Sequence, residues 1–334
     1  MRDHVALAYK TSTMSTDSGT VHNLPDSILK KLPKLSSVTD RFGNTFHFGN
    51  AGGFWHPPFP LGADTDYRTH LRNITDMEIR PDDVMICSYP KTGLHWQMEI
   101  MAMLMQKTGT MDTETEEKLC FLDAKPVPSF TSRPSPRLIV THVPFRYLPK
   151  QALEKKIKII YLDRNPKDVL VSYYNHMHKH VSPLHYPGTF EHFVYQNLEV
   201  GYFYGDMFSY LLEWQEGIDA HPEVPIYVSM YEELKLDERK GVKKLNKFLD
   251  TGCSEELCEE IADTCSFGNM KQFKEMTSSE MLKSLFRNNK NNFYRKGDVG
   301  DWKNWFTVAL NEEFDREYKK HMSGYRTLYK YTLQ

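Results

Sequence analysis

Four short runs rich in β-branched and apolar residues constrain the fold of this chain most strongly. They span residues 84–89, 138–143, 158–163 and 226–231, and helix-like segments follow several of them. Alternating strands and helices are typical of a parallel sheet with helices on both faces. We therefore predict an α/β fold with a single domain at residues 46–334, preceded by a polar, turn-rich arm at residues 1–45.

The charge balance and cysteine content exclude several classes of protein. The 334 residues include 42 Lys and Arg against 44 Asp and Glu, so the net charge of −2 gives no overall attraction to nucleic acid or to an anionic membrane. The longest apolar run, residues 100–105, is far shorter than the ~20 residues of a membrane span. Five cysteines without a C-x-x-C pair indicate neither a disulfide framework nor a zinc site. We expect a cytoplasmic protein that binds neither nucleic acid nor membrane.

The turn at residues 88–96 joins the first strand to an apolar segment, 98–106, which we predict to be a buried helix ending near Gly109. Free N–H groups at a helix N-terminus attract anions, Gly93 permits close approach of the backbone, and Lys91 and Thr92 add a charge and a hydroxyl. A nucleotide-binding P-loop needs G-x-x-x-x-G-K-[ST]. Here the first glycine is missing and Lys91 precedes Gly93, which weakens the alternative of a P-loop phosphotransferase.

Two further motifs could bind a second phosphate. Arg164 follows the strand at 158–163, and Ser172 lies one or two turns along the next predicted helix, so both could clamp an anion. Near the C-terminus, Arg295, Lys296 and Gly297 form a flexible, positively charged loop. Each motif alone is also compatible with an ordinary capping arginine or a solvated loop.

Together, the three motifs resemble, in order and spacing, the nucleotide-binding motifs of the cytosolic sulfotransferase family, over residues 46–325. The resemblance implies 3′-phosphoadenosine 5′-phosphosulfate (PAPS) as sulfonate donor, 3′,5′-adenosine diphosphate (PAP) as product, and a P-loop-like turn that binds the phosphosulfate. It implies nucleotide contacts from Lys91, Thr92, Gly93, Leu94, His95 and Trp96, from Arg164 and Ser172, from Tyr231, Cys265 and Phe267 around the adenine, and from Arg295, Lys296 and Gly297.

The reaction that this resemblance implies needs a base and a cation. His142 ends a predicted strand, and with an ordinary pKa of ~6.5 an imidazole can act as a general base at neutral pH. A lone histidine on a strand is often structural, but His142 matches the family's T-H-x-P catalytic histidine. Lys91 would stabilise the leaving phosphate oxygen, Ser172 would complete the catalytic group, and transfer would be direct and in-line.

Metal binding is not predicted. Four histidines lie within residues 176–185, and His176 and His180 share a helical face. No carboxylate or cysteine completes a recognisable metal site with them.

Four positions depart from the family pattern. Leu94 and His95 replace residues that commonly carry hydroxyls, Cys265 replaces a threonine, and Val140 replaces a lysine. These departures leave open a second alternative, a catalytically silent nucleotide-binding sensor of the same fold.

The acceptor and the oligomeric state are implied by resemblance alone. Phe130, His142, His176 and Tyr204 are the candidate acceptor-binding residues, for a small phenol, steroid or other alcohol, or an amine. The segment from Lys303 to Glu312 matches the family's K-x-x-x-T-V-x-x-x-E dimer segment and implies a homodimer.

Overall fold

Two β-sheets form the framework of the protein in a computed structural model, which describes Ile28 and residues 12–13, 30–62, 65–287 and 293–326. The first sheet is antiparallel and contains, in order, β1 (Ser12–Thr13), β2 (Ser36–Thr39), β3 (Thr45–Ala51) and β4 (Phe54–His56). The second is parallel and contains β5 (Val84–Ser88), β6 (Cys120–Phe121), β7 (Leu138–Thr141), β8 (Lys158–Asp163) and β9 (Ile226–Met230), in the order β6-β7-β5-β8-β9.

Thirteen helices and three short 3₁₀ segments complete the described part of the chain. The helices are α1 (Tyr67–Thr75), α2 (Leu94–Gln106), α3 (Thr115–Lys118), α4 (Lys150–Glu154), α5 (Pro166–Lys179), α6 (Phe190–Glu199), α7 (Met207–Ala220), α8 (Tyr231–Leu236), α9 (Glu238–Leu249), α10 (Glu255–Thr264), α11 (Phe267–Thr277), α12 (Glu280–Ser284) and α13 (Val308–His321). The 3₁₀ segments are Val127–Phe130, Phe145–Tyr147 and Asp301–Asn304. Among the residues described, no helix combines the length and apolar character needed to cross a bilayer.

Strand β5 lies at the centre of the parallel sheet and is buried along its whole length. Its register places Ile86 opposite Val140 of β7 and Ile160 of β8. These three side chains belong to one apolar cluster, whereas Met85 and Cys87 belong to another, because successive side chains of a strand point to opposite faces. Two helical layers therefore enclose the sheet, which confirms the predicted α/β fold.

Helix α2 ends at Gln106, the last residue of the predicted apolar segment, and begins at Leu94, four residues before that segment. Lys107 takes a left-handed conformation with φ of 56°, and its backbone N–H donates to the carbonyls of Met103 and Leu104. This geometry closes the helix two residues before Gly109, the predicted stop. A left-handed cap is commonly glycine, but here a lysine adopts it.

Ordered structure begins ahead of residue 46. Strand β2 pairs with β3 in antiparallel register, and Val38 is buried opposite the buried Phe46. Most of the predicted polar arm lies outside the described residues. The division of the chain at residue 45 therefore remains a prediction.

Candidate active site

The turn after β5 carries the first motif and is shaped by two left-handed residues. Lys91 has φ of 69° and Gly93 has φ of 103°. A Cβ atom at residue 93 would lie 2.8 Å from Cδ2 of Tyr231, so only glycine allows this approach. The Thr92 hydroxyl donates to the Tyr89 carbonyl at 2.9 Å and is used within the turn.

A cavity of about 350 Å³ opens beside this turn, at the carboxyl ends of the parallel strands. Ligands of open α/β sheets bind at this edge. The structure brings fifteen of the predicted site residues together there: Lys91, Gly93, Leu94, His95, Trp96, His142, Arg164, Ser172, His176, Tyr204, Tyr231, Phe267, Arg295, Lys296 and Gly297.

Arg164 connects the first and third motifs. Its guanidinium donates to the carbonyl of Lys91 and to the carbonyl of Asp298, both at 3.1 Å, and lies 3.9 Å from the centre of the Tyr231 ring. Its Nε is buried without a hydrogen-bond partner among the described residues. The guanidinium is thus held in place while one donor stays available.

Two aspartates hold the third motif. Asp168, in the first turn of α5, accepts from the backbone N–H of Gly300 at 2.6 Å and of Trp302 at 2.9 Å. Asp301 accepts from Arg295 at 2.5 Å and from Lys296 at 2.7 Å. Although burial raises the pKa of Asp301, these hydrogen bonds outweigh that effect and lower it well below its usual value.

Aromatic rings form the part of the cavity predicted to hold the adenine. The Trp96 and Tyr231 rings meet edge to face at 5.6 Å, and Nε1 of Trp96 is buried without a hydrogen-bond partner in the described part of the chain. Gly297 has φ of 73°, and a Cβ there would overlap the Phe267 ring. The aromatic faces of Trp96, Tyr231 and Phe267 all line this cavity, and such faces can stack on a base.

His142 follows β7, and its ring nitrogens have different surroundings. Nδ1 lies 2.8 Å from the carbonyl oxygen of Ser88. Because a carbonyl only accepts, Nδ1 carries the proton, and Nε2 of the neutral ring holds a lone pair. Burial lowers the pKa of His142 to about 4, with a smaller effect from the charges of His95 and Lys91, so the ring is neutral at pH 7.

The ammonium of Lys91 is close to other cations. Burial, together with the charges of Arg164 and Arg295, lowers its pKa to about 7. An anion in the cavity would reverse this effect, because a nearby negative charge favours the protonated amine. The cavity therefore has excess positive charge to offer an anionic ligand.

Asp123, which the sequence analysis missed, lies behind His142. Its carboxylate accepts from the backbone N–H of His142 at 3.0 Å and lies 3.4 Å from the Thr141 hydroxyl. Burial raises the pKa of Asp123 to about 7, although hydrogen bonds from His142, Thr141 and Tyr204 oppose that rise. Strand β6, which precedes Asp123, contains just two residues, so it is hard to recognise in the sequence. An acid that follows a short apolar run is the one signal that the sequence offers for Asp123.

Comparison with known proteins identifies the family. Residues 81–326 match the Sulfotransferase domain. Sulfotransferase 1B1 of Mus musculus is 37% identical over 270 residues, which cover 77% of this chain and 88% of the relative. Sulfotransferase 1E1 of Bos taurus is 35% identical over 300 residues, covering 87% and 97%. The chain belongs to the sulfotransferase family.

A solved structure agrees with this assignment. Mouse sulfotransferase SULT7A1, crystallised with PAP, superposes with a TM-score of 0.64 and 29% identity, over 77% of this chain and 89% of its own. The predicted enzyme class and the predicted use of PAPS as donor are confirmed. The alternative of a P-loop phosphotransferase finds no support.

The structure places three predicted residues of this sulfotransferase away from the cavity lining. Phe130 is fully buried in the larger apolar core because Val127–Phe130 turns it inward. Cys265 is fully buried, with its sulfur 3.5 Å from that of Met103. Thr92 points its hydroxyl into its own turn. These placements do not support the acceptor contact predicted for Phe130 or the adenine contact predicted for Cys265.

The cavity also has lining residues that the sequence analysis missed. Phe59, Phe121, Phe203 and Phe293 also line the cavity, together with His180, the residue that caps α5. The i, i+4 spacing of the two histidines was the one readable signal, because the phenylalanines come from four separate segments. Within the described residues, no three His, Cys, Asp or Glu side chains are grouped to ligate a metal ion.

Proposed function

We propose that this enzyme transfers the sulfonate of PAPS directly to the hydroxyl, or amine, of a small acceptor, with His142 as general base. The observation that carries the proposal is the hydrogen bond from His142 Nδ1 to the Ser88 carbonyl, which leaves a neutral Nε2 in the same cavity as Lys91. A histidine must be neutral before it can take a proton, and burial keeps this one neutral.

The residues present fit a nucleotide with phosphates at two ends. Gly93 and Gly297 let backbone approach rings where a Cβ would collide, and Arg164 and Trp96 each have a buried nitrogen with no partner in the described chain. We assign Lys91, Gly93, Leu94, His95 and the Thr92 backbone to the phosphosulfate end. Arg164, Ser172, Arg295, Lys296 and Gly297 are assigned to the 3′-phosphate, and Trp96, Tyr231 and Phe267 to the adenine.

The chemistry then balances without a further reactant. PAPS supplies a sulfonate bound through a bridging oxygen to a phosphate. As the acceptor oxygen forms its bond to sulfur, His142 Nε2 takes the acceptor proton, and the bond from sulfur to the bridging oxygen breaks. Lys91 stabilises the charge that develops on the leaving phosphate, and the Ser172 hydroxyl lines the cavity nearby as a supporting donor.

The decisive experiment mixes the protein with radiolabelled PAPS and a panel of phenols, steroids and simple alcohols. We expect labelled product with wild type, and a fall in kcat of about 10²- to 10⁴-fold for His142→Ala. PAP should still raise Tm in that variant, and His221→Ala, a half-buried histidine away from the cavity, should behave like wild type.

Three outcomes would contradict this proposal. Absence of transfer to every acceptor, with Tm still raised by PAP, would favour the catalytically silent sensor. Stabilisation by ADP equal to that by PAP would mean that the 3′-phosphate is not read. Loss of PAP binding in His142→Ala would make His142 structural.

We also propose the cytoplasm as its location and a homodimer as its assembly. Five free cysteines, four of them buried, suit a reducing compartment. In residues 303–312, Thr307 caps α13 and Val308 exposes 77% of its surface, as a contact residue would in an isolated protomer. We retain residues 46–334 as the sulfotransferase domain.

A further inference from the structure

His176 lies one turn beyond Ser172 on α5 and lines the cavity among aromatic rings. Its ring is 4.3 Å from the His180 ring and 4.9 Å from the Phe293 ring. Nδ1 of His176 is buried and has no hydrogen-bond partner among the described residues. A buried polar nitrogen without a partner is costly, and a phenylalanine would fill the same position without that cost.

His180 is fixed beside it. Nδ1 of His180 lies 2.6 Å from the backbone carbonyl of His176 and therefore donates to it. The lone pair of the neutral His180 ring is then on Nε2. The His176 ring, in the last turn of α5, and the His180 ring, on the residue that caps this helix, place two polar side chains side by side among the aromatic rings of the cavity.

The charge state of the histidines restricts which chemical groups of an acceptor can bind in this part of the cavity. His95, His142, His176 and His180 all line the cavity with Lys91. Burial lowers the pKa of His142 and His180 to about 4 and that of His176 well below its usual value, so these three rings are neutral at pH 7.

Counter-ions for a cationic acceptor are scarce. Asp298 is the one carboxylate on the lining of the described cavity. It lies 3.6 Å from Lys296, and its backbone carbonyl accepts from Arg164, so it belongs to the nucleotide end. An ammonium group on the acceptor would lose its water without gaining an anion.

We propose that the acceptor is an uncharged alcohol or phenol with a second hydrogen-bonding group, and that His176 receives that group. The inference rests on the proposed function and specifies its substrate class. His176 acts here as a specificity residue, because its buried ring nitrogen gains a hydrogen-bond partner only from acceptors that carry such a group.

Three series of 4-substituted phenols of equal size test this proposal. They carry a terminal carboxamide, a terminal isopropyl group or a terminal ammonium, each on spacers of increasing length. With wild type we expect kcat/KM for the best carboxamide to exceed that for its isopropyl partner roughly two- to tenfold, mainly through KM. The ammonium phenols should be the poorest acceptors.

Two variants at position 176 and one control complete the experiment. His176→Phe should equalise the carboxamide and isopropyl phenols, and His176→Asn, which keeps a donor and an acceptor, should retain part of the preference. His178→Phe is on the same helix but off the cavity lining, so it should preserve the wild-type ratio. The PAP-induced rise in Tm reports folding of each variant.

The outcomes separate the two proposals. An unchanged carboxamide preference in both His176 variants, or ammonium phenols that react as well as carboxamides, overturns the role of His176 while transfer itself persists. Absence of transfer to every phenol by wild type overturns the proposed function, and this inference with it.

Discussion

Lys91 and His142 share one cavity, and the charge of Lys91 adds to the cost of protonating His142. Burial lowers both pKa values, to about 7 for Lys91 and about 4 for His142. The two groups need opposite protonation states to act, because the lysine must be charged and the histidine neutral. The free enzyme is therefore fully competent at pH values between these two pKa values, about 4 and about 7.

We predict that this window appears in the pH profile of kcat/KM for PAPS. Below about pH 4 His142 becomes protonated and the base is lost, and above about pH 7 Lys91 loses its proton and its attraction for phosphate. Initial rates at subsaturating PAPS between pH 5 and 9 should fall on the alkaline side. Lys91→Arg, which stays charged, should remove that alkaline fall even if its rate is lower. A wild-type profile that is flat to pH 9 would contradict the lowered pKa of Lys91.

Asp123 is expected to act as a positioning residue for His142. In Asp123→Asn, the amide keeps the volume but weakens acceptance from the His142 N–H and the Thr141 hydroxyl. We expect kcat to fall about 10- to 100-fold, since small displacements of a base are costly, with KM for PAPS nearly unchanged. Asp219→Asn, at an exposed site, is the control. If kcat is unchanged while Tm falls, the contribution of Asp123 is to stability alone.

At the scale of elements, the strands were predicted more accurately than the helix bounds and the turns beside them. The run at Lys158–Asp163 has the predicted bounds, because its buried interior, residues 159–162, is a continuous apolar run that is typical of a central parallel strand. The end of α2 at Gln106 was predicted, although Lys107 rather than Gly109 adopts the left-handed cap. Its start was missed, because the helix already begins at Leu94 within the phosphate-binding turn. Phe130 was misplaced because position along the chain does not tell whether a 3₁₀ turn points a ring inward.

Gly297 offers a test of how tightly the third motif packs on its neighbours. Gly297→Ala would drive a Cβ into the Phe267 ring and strain a φ of 73°. We expect PAP affinity to fall at least tenfold, measured by calorimetry. Gly252→Ala has a similar φ of 69° but no atom within 4 Å, so it imposes the backbone strain without the collision. Equal PAP affinity in the two variants would show that ring contact does not shape the site.

At the scale of the whole molecule, the nucleotide site was predictable and the acceptor end was not. The first two nucleotide motifs directly follow parallel strands, so their convergence follows from sheet topology. The third is one contiguous segment near the C-terminus, held beside them by hydrogen bonds to Asp168. The rest of the cavity lining gathers Phe59, Phe121, Phe203 and Phe293 from four distant segments, and none forms a motif. Only packing of the complete fold brings them together.

The assembly proposal is tested at Val308. Replacing an exposed apolar contact with a charge should disrupt a small interface, so Val308→Glu should convert a dimer to a monomer in multi-angle light scattering. Met276→Glu, which is 75% exposed outside residues 303–312, should leave the mass unchanged. A wild-type protein that is monomeric at micromolar concentration would rule out this homodimer.

The two hydrogen bonds from Asp168 to the backbone of Gly300 and Trp302 have a consequence for the time course of synthesis. Gly300 follows Asp168 by 132 residues, so a growing chain makes the carboxylate long before its partners exist. During that interval the loop carrying Arg295 and Lys296 is absent, and the proposed 3′-phosphate site has one of its three cations, Arg164. A ribosome-bound chain that ends before residue 295 should therefore fold much of its sheet yet fail to retain nucleotide.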